Sequence, residues 1–162
     1  MIVTAVIEIP AGSQNKYEYD HETHRIRLDR VLYSPFHYPA EYGFVPDTLA
    51  EDGDPLDVIV LLSQATFPGC EVRARLIGLL EMQDDKGVDD KLLAVGADDP
   101  RYDTVNSLDD VLPHTLKELA HFFESYKELE GKRVNVDRWL GPADAEQALS
   151  QARERYRAKT SG

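Results

Sequence analysis

The chain has 162 residues, of which 42% are hydrophobic and 30% are charged, and this balance is typical of one globular domain with a substantial core. We therefore expect a single domain over residues 1–162. The net charge of −12 argues against nucleic acid as a partner, because a protein that binds the phosphate backbone needs a basic face.

The cysteine count and the hydropathy of the chain exclude further classes of protein. Cys70 is the single cysteine, which excludes a disulfide framework and a thiolate metal cluster. No apolar run approaches the ~20 residues of a membrane span, and the N-terminus lacks a basic stretch followed by an apolar one. We expect a cytoplasmic protein with no membrane partner.

The first part of the chain predicts short strands. Residues 1–9 are rich in β-branched side chains and stop at Pro10, which predicts a strand that carries Glu8 near its end. Residues 16–20 and 25–29 alternate strictly and predict a hairpin. On their own, Lys16 and Glu18 on one strand face favour a surface ion pair, and His21 and His24 in the connection favour solvated turn residues over metal ligands.

The middle of the chain continues with strands. An ordered loop with two prolines among aromatic residues is predicted over 31–40. Strands are predicted over the runs 41–45, 58–62, 72–82 and 88–95. Gly78 interrupts the third run, where a bulge or barrel bend would fit, and Asp89 and Lys91 share one face of the last. Five or six closely spaced strands predict a barrel or a sandwich.

Helical periodicity appears after residue 112. One amphipathic helix is predicted from Pro113, with Gly131 at its C-terminal cap and an apolar face formed by Leu116, Leu119, Phe123 and Tyr126. A second is predicted from Pro142 to about Arg157, with an apolar face formed by Ala145, Leu149, Ala152 and Tyr156. The two helices accompany a mainly β protein.

An acidic run over residues 51–57 precedes the buried strand. Asp52, Asp54 and Asp57 lie so close together that their carboxylates repel one another, and folded proteins usually keep such groups together by binding cations. A solvated acidic turn is the alternative, and it would be the commoner case for a generic acidic loop. An EF-hand fits poorly, because the sixth position lacks glycine and Ser63 replaces the bidentate glutamate.

Acidic residues also recur at the ends or on one face of other predicted strands. Seven acidic residues form this set: Glu8, Glu18, Asp52, Asp54, Asp57, Asp84 and Asp89. Four basic residues accompany them: Lys16, Arg30, Lys91 and Lys127. If they converge on a barrel mouth, hard divalent cations would let the site accept a highly charged anion. Oxygen ligands favour Mg²⁺ over Zn²⁺ and permit Mn²⁺.

Several separated motifs resemble one known family. They are IEIPAGSQNKYEYD at 7–20, LDR at 28–30, YPAEYGF at 38–44, DGDPLD at 52–57 and HFFESYKELE at 121–130. Together they resemble the soluble family I inorganic pyrophosphatases almost end to end, most of all the short bacterial forms. The DHET sequence at 20–23 is similar to actinobacterial members.

The resemblance implies an α+β, mainly β fold: a five-stranded OB-like closed barrel with flanking α-helices, one of them C-terminal. It implies Mg²⁺-dependent hydrolysis of pyrophosphate, several metal ions per site and, commonly, a homohexamer. By motif position, the metal ligands would be Asp52, Asp57, Asp84 and Asp89, with Asp57 bridging and with Glu8 and Glu18 at the rim. The phosphates would be held by Lys16, Arg30, Tyr42, Tyr126 and Lys127, supported by Tyr38 and Lys91.

A carboxylate beside the attacking water would take up its proton. Asp54 is the first candidate, because Pro55 constrains it and its acidic neighbours are expected ligands; Asp89 is the second. The chain departs from the family pattern at Gly96, where proline is usual, at Ser125, where histidine is frequent, and in having one residue fewer between Glu130 and Lys132.

The residues also allow two other classes of function, a binding module and a different phosphohydrolase. An OB-like barrel can bind single-stranded nucleic acid or hold a structural Ca²⁺, but the acidic charge weighs against the first and the lysines and tyrosines are unexplained by the second. Another metal-dependent phosphohydrolase could act on nucleoside triphosphates, although the chain has no P-loop and no obvious aromatic slot for a base.

Overall fold

The computed structural model of the chain describes residues 1–161; Gly162, the last residue of the predicted domain, lies outside them. The strands in this range are β1 Ile2–Ile9, β2 Asn15–Asp20, β3 Arg25–Val31, β4 Glu41–Phe44, β5 Asp57–Leu61, β6 Glu71–Asp84, β7 Gly87–Val88, β8 Lys91–Gly96 and β9 Asn135–Leu140. The α-helices are α1 Pro113–Ser125 and α2 Pro142–Thr160. Short 3-10 turns span Pro100–Tyr102, Leu108–Asp110 and Glu128–Glu130.

Five strands close into a barrel. Antiparallel pairs join β1 to β4, β4 to β5, and β8 to β6, while β5 and β8 run parallel. The pairing of β1 with β6 closes the ring. The strands β2 and β3 form a separate hairpin, as predicted. The prediction of a barrel is confirmed, and the register shift between Leu76 and Gly78 places a bulge where the glycine predicted one.

The strand β5 is buried on both faces because the barrel has a core on each side of it. Ile59 and Leu61 pack into a cluster that includes the apolar face of α1. Val58 and Val60 point the other way, into a cluster that includes the apolar face of α2. A strand between two cores needs apolar residues at successive positions, which explains the uninterrupted run in the sequence.

Residues 88–95 do not form one strand, and that prediction is wrong. The strands β7 and β8 separate around Asp89 and Asp90. The carboxylate of Asp90 accepts a hydrogen bond from the backbone N–H of Met82 at 3.1 Å. In a regular strand pair, a backbone carbonyl would accept that hydrogen bond. The backbone N–H of Asp89 still donates to the carbonyl of Met82 at 2.9 Å. This irregular step frees the Asp89 side chain from the sheet.

Two further features of the C-terminal third differ from the prediction. Gly131 does not cap α1, which ends at Ser125; with φ of 73° it caps the 3-10 turn Glu128–Glu130 instead. The strand β9 was not predicted. Its register partner is the second half of β6, and its burial does not alternate from residue to residue. Within residues 1–161, no helix combines the length and the apolar character needed to cross a membrane.

Gly96 accounts for one departure from the family pattern. A Cβ added at this position would lie 2.1 Å from Cδ2 of Leu62. The Leu62 side chain therefore fills the space that a larger residue at position 96 would need. In this chain the loop after β8 gains packing from Leu62.

We expect Gly43→Ala to lower the free energy of unfolding by about 2–3 kcal/mol, as overpacking of a close contact does. An added Cβ would lie 1.9 Å from the backbone oxygen of Val6, so β1 and β4 would have to move apart. Urea unfolding would measure the effect beside Gly141→Ala, where nothing lies within 4 Å of the new carbon. Equal stability of the two variants would contradict this account.

Candidate active site

A cavity of about 330 Å³ opens at one end of the barrel. Because β5 and β8 are parallel, their first residues, Asp57 and Lys91, are register partners and meet at this end. The acidic run before β5 and the turn after β6 reach the same opening. Eight carboxylates line the cavity: Glu8, Glu18, Asp29, Asp52, Asp54, Asp57, Asp84 and Asp89. All seven acidic residues singled out from the sequence are among them.

Cationic side chains line the same cavity. Six are present: Lys16, Arg30, Lys86, Lys91, Lys127 and Lys132. Sequence reasoning missed Asp29 and Lys132 as site residues and left open whether Lys86 acts at the site. Asp29 stands inside the LDR motif beside Arg30, which is a signal that could have identified it. Lys132 follows Gly131, which caps the 3-10 turn Glu128–Glu130. The sequence pattern had assigned this glycine to the end of α1, so the position of Lys132 at the cavity could not be predicted.

Lys91 lies at the centre of the charge distribution. Its ammonium group lies 2.9 Å from Asp57 Oδ2 and 3.3 Å from Asp89 Oδ2, and 5.3 Å from the centre of the Tyr42 ring. The residue is only 3% exposed. Burial lowers the pKa of Lys91, but the two carboxylates outweigh it and raise that pKa above its usual value. The lysine is therefore a fixed positive charge between two acids.

Several carboxyl groups in the cavity carry raised pKa values. Burial, reinforced by the charge of Asp57, raises the pKa of Glu8 to about 7, although the Tyr19 N–H donates to its carboxylate at 2.9 Å. Burial raises the pKa of Asp89 to about 6 against the opposing charge of Lys91. Burial and the charges of two other aspartates also raise the pKa of Asp54. These groups would gain from an additional cation.

The phosphate-binding candidates on the hairpin and after α1 are already oriented. The guanidinium of Arg30 pairs with Asp29 at 2.6 Å and with Glu130 at 2.9 Å. Lys16 lies 3.4 Å from the same aspartate. Burial lowers the pKa of Lys127, and the charge of Lys91 adds to that effect. An anion in the cavity would relieve this repulsion.

The aromatic candidates divide into two layers. Tyr42 and Tyr126 line the cavity, and burial raises the pKa of each, to about 12 for Tyr126. Tyr38 does not line it. Its ring packs behind the other two, with ring centres at 5.6 Å and 6.1 Å, and its hydroxyl has no hydrogen-bond partner within residues 1–161.

The hairpin residues show both of the interpretations that the sequence left open. Lys16 and Glu18 do form ion pairs across the hairpin, the latter with Arg27 at 3.4 Å, and both also line the cavity. His21 lines the cavity as well, with its ring 5.0 Å from the rings of Tyr19 and Phe44. Position in a turn thus did not keep this histidine away from the site.

The donor set fits hard divalent cations. Within residues 1–161, no three His, Cys, Asp or Glu side chains are already arranged around one point as a metal site requires. The Lys91 ammonium stands between Asp57 and Asp89, so these two carboxylates would have to turn towards a shared ion. All the acidic donors are oxygens, they exceed the cationic groups in number, and two have pKa values near neutrality. Such a set suits Mg²⁺ or Mn²⁺ chemically.

Without metal, stability is expected to fall as the pH rises from about 4.5 to about 7, because folded Glu8 retains its proton over a range in which the unfolded chain loses it. Glu8→Gln should flatten this slope. Urea unfolding across the range would show it, with the exposed Glu124→Gln as the control. A slope unchanged from the parent would assign the dependence to other groups, of which Asp57, Lys16 and Glu18 face this carboxyl.

Comparison with known proteins agrees with this geometry. The sequence model of the Inorganic pyrophosphatase family matches residues 5–157. The chain is 54% identical over 155 residues to the inorganic pyrophosphatase of Geobacillus stearothermophilus, covering 96% of this chain and 94% of that protein. It is 50% identical over 159 residues to that of Corynebacterium efficiens, covering 98% and 100%.

A solved structure extends the agreement to the fold. The crystal structure of the inorganic pyrophosphatase from Thermus thermophilus superposes with a TM-score of 0.94 at 46% identity, covering 96% of this chain and 91% of that one. The predicted OB-like barrel with a C-terminal helix is thereby confirmed, and so is the resemblance drawn from the motifs. The actinobacterial likeness is consistent with the Corynebacterium relative. The chain belongs to the inorganic pyrophosphatase family.

Proposed function

We propose that this chain hydrolyses inorganic pyrophosphate to two phosphates in the cavity at the end of its barrel. The observation that carries the proposal is the lining of that cavity by eight carboxylates and six cationic side chains. Cationic groups alone would suit any phosphate, and carboxylates alone would suit any divalent cation. The two sets together suit a highly charged anion that arrives with metal ions. The family and the names of the relatives support the same activity.

We infer that Mg²⁺ is the natural cation and that Mn²⁺ can replace it, because every acidic donor is an oxygen. The ions would be held by Asp52, Asp57, Asp84 and Asp89, with Glu8 and Glu18 at the rim. When bound, such cations lower the pKa of a water molecule and neutralise charge on the phosphates. The family resemblance implies that Asp57, the first residue of β5, would bridge two of the ions.

Asp54 would accept the proton of the attacking water. It lines the cavity at its exposed edge. Its pKa is raised, which brings it closer to the operating pH and so favours a general base. Its backbone N–H donates to Asp52 Oδ1 at 3.0 Å, which fixes the Asp52 carboxylate against the Asp54 backbone. Asp89 is the second candidate for this role, although its pairing with Lys91 commits it to the buried part of the site.

The phosphate groups would be held by Lys16, Arg30, Lys127, Tyr42 and Tyr126. The ion pairs of Arg30 with Asp29 and Glu130 orient its guanidinium before substrate arrives, which lowers the cost of binding. The tyrosine hydroxyls can donate hydrogen bonds without adding charge. Lys91 would act on the carboxylates beside it, and Tyr38 would support the two tyrosine rings from behind.

Phosphate release from pyrophosphate, measured with and without Mg²⁺, tests the proposal. We expect metal-dependent release from pyrophosphate and little from ATP or a phosphate monoester, with Mn²⁺ assayed in parallel. Comparable turnover of ATP with Mg²⁺ would reject the narrow substrate assignment in favour of a broader phosphohydrolase. Absence of release from pyrophosphate under all conditions would reject the function itself.

We also propose that residues 1–162 form a single pyrophosphatase domain. Six copies of the chain would assemble into a homohexamer, and the protein would be located in the cytoplasm. The hexamer is supported by the family resemblance, and the single domain by the continuous family match over residues 5–157. Light scattering that shows only monomer at micromolar concentration would contradict the hexamer.

A further inference from the structure

The loop that carries two of the site aspartates is weakly packed. Residues 49–54, which we call the acid loop, join the segment after β4 to the start of β5, and Glu51 to Asp54 are exposed. The loop closes on itself through two backbone hydrogen bonds, from Ala50 N–H to Asp54 O at 2.7 Å and from Gly53 N–H to Ala50 O at 3.1 Å. These bonds shape the loop but do not attach it to the barrel.

The base of the acid loop is fixed by a buried threonine. The hydroxyl of Thr48 donates to the carbonyl of Val45 at 2.5 Å and accepts from the backbone N–H of Leu56 at 2.9 Å. The chain is therefore anchored where it enters and leaves the loop. The orientation of the exposed part, relative to the cavity, depends on other contacts.

Those contacts come from the C-terminal helix. The backbone N–H of Leu49 donates to Ala152 O at 2.9 Å. Nη1 of Arg155 donates to Leu49 O at 2.9 Å, and Nη2 of the same residue lies 3.9 Å from Glu51 Oε1. One guanidinium thus reaches both the start and the exposed part of the loop, across 106 positions of the sequence.

The helix is a rigid support for this contact. Ala145, Leu149 and Ala152 are fully buried against the barrel, so the backbone of α2 has little freedom to move. Between the helix and the loop lies a small cavity of about 80 Å³, lined on one side by Arg155 and on the other by Asp52 and Asp57. Ala50 packs against the cluster that includes the apolar face of α2, whereas the exposed residues 51–54 reach the helix through the ion pair of Glu51 with Arg155.

We propose that Arg155 is a positioning residue that sets where Asp52 and Asp54 stand at the cavity. The planar fork of arginine can serve two acceptors at once in a fixed geometry, which the single ammonium of lysine does less well. Outer contacts of this kind orient the groups that hold a metal ion. The inference rests on the proposed function for its consequence in catalysis, but the tether itself is a property of the metal-free chain.

Replacing Arg155 with methionine tests the proposal, because Arg155→Met keeps an apolar stem and removes every donor. In the metal-free protein, we expect faster amide hydrogen exchange at Ala50, Gly53 and Asp54, with the β5 and β8 amides unchanged. Calorimetric titration with Mg²⁺ should show affinity weakened about 10-fold, the lower end of the effect of removing an outer-shell partner. Arg155→Lys should recover part of both changes.

The matched control is Arg157→Met, on the exposed face of the same helix two residues further on. It should leave loop exchange and Mg²⁺ affinity at the parent values. Loop exchange and affinity unchanged in Arg155→Met would overturn the proposal, and so would faster exchange with unchanged affinity, which would make Arg155 a structural tether alone. If the parent fails to release phosphate from pyrophosphate, the proposed function falls, while the exchange data still decide the tether.

Discussion

Asp54→Asn is expected to keep the fold and to lower kcat by about 100-fold or more, the usual range for removing a general base. Asparagine has nearly the same shape but cannot take up a proton from water. Asp54 is exposed at the edge of the cavity, and the hydrogen bond that Ala50 makes to it uses the backbone carbonyl, which the substitution keeps. Initial rates at saturating pyrophosphate and Mg²⁺, with a thermal melt, would measure both parts of the prediction.

The control for this variant is Asp109→Asn, which changes an exposed aspartate in the 3-10 turn Leu108–Asp110. It does not line the cavity and should leave kcat unchanged. Full activity in Asp54→Asn would move the proton-acceptor role to Asp89. If the melting temperature falls together with kcat, Asp54 acts through the fold of the acid loop instead.

Lys91→Met is expected to lower the free energy of unfolding of the metal-free protein by about 3 kcal/mol, because removing one member of a buried ion pair leaves uncompensated charge. Two carboxylates, Asp57 and Asp89, lose their shared cation, and the methionine cannot replace it. We place the effect at the lower end of the usual range because Asp57 remains partly exposed. Urea unfolding with chelator present would measure it.

Magnesium should offset this loss, because an ion between the two carboxylates would compensate the same charges. We expect the increase in unfolding midpoint on adding Mg²⁺ to be larger for Lys91→Met than for the parent. The control is Lys117→Met on the exposed face of α1, which should change stability by no more than about 0.5 kcal/mol. A Lys91→Met variant as stable as the parent without metal would contradict the electrostatic account of the site.

The sequence predicted those parts of the protein in which local pattern and final environment agree. The run 58–62 is apolar because both faces of β5 are buried, and Gly78 marks a bulge because the ladder there shifts register. The acidic run could be recognised for the same reason, since Asp52, Asp54 and Asp57 are neighbours in sequence and line one cavity. In each case the relevant physics acts within a few residues.

Other parts depend on distant partners and could not be read locally. The strand β9 exists because β6 offers a register partner, and its own alternation is too weak to predict it. The break at Asp90 arises from one side-chain hydrogen bond to Met82. Lys132 and Arg155 reach the site region only through the packing of elements that are far apart in the chain.

The ring closed by β1 and β6 has a consequence for the order in which a newly made chain gains its activity. Glu8 comes from β1, Asp57 from β5, Asp84 from β6 and Lys91 from β8, so the complete set of charges needs all four of these strands in place. Pairing of such distant segments is slow compared with the formation of helices. Recovery of pyrophosphate hydrolysis after dilution from denaturant should therefore lag behind the helical circular dichroism signal, and enzyme assays would report the final closure step.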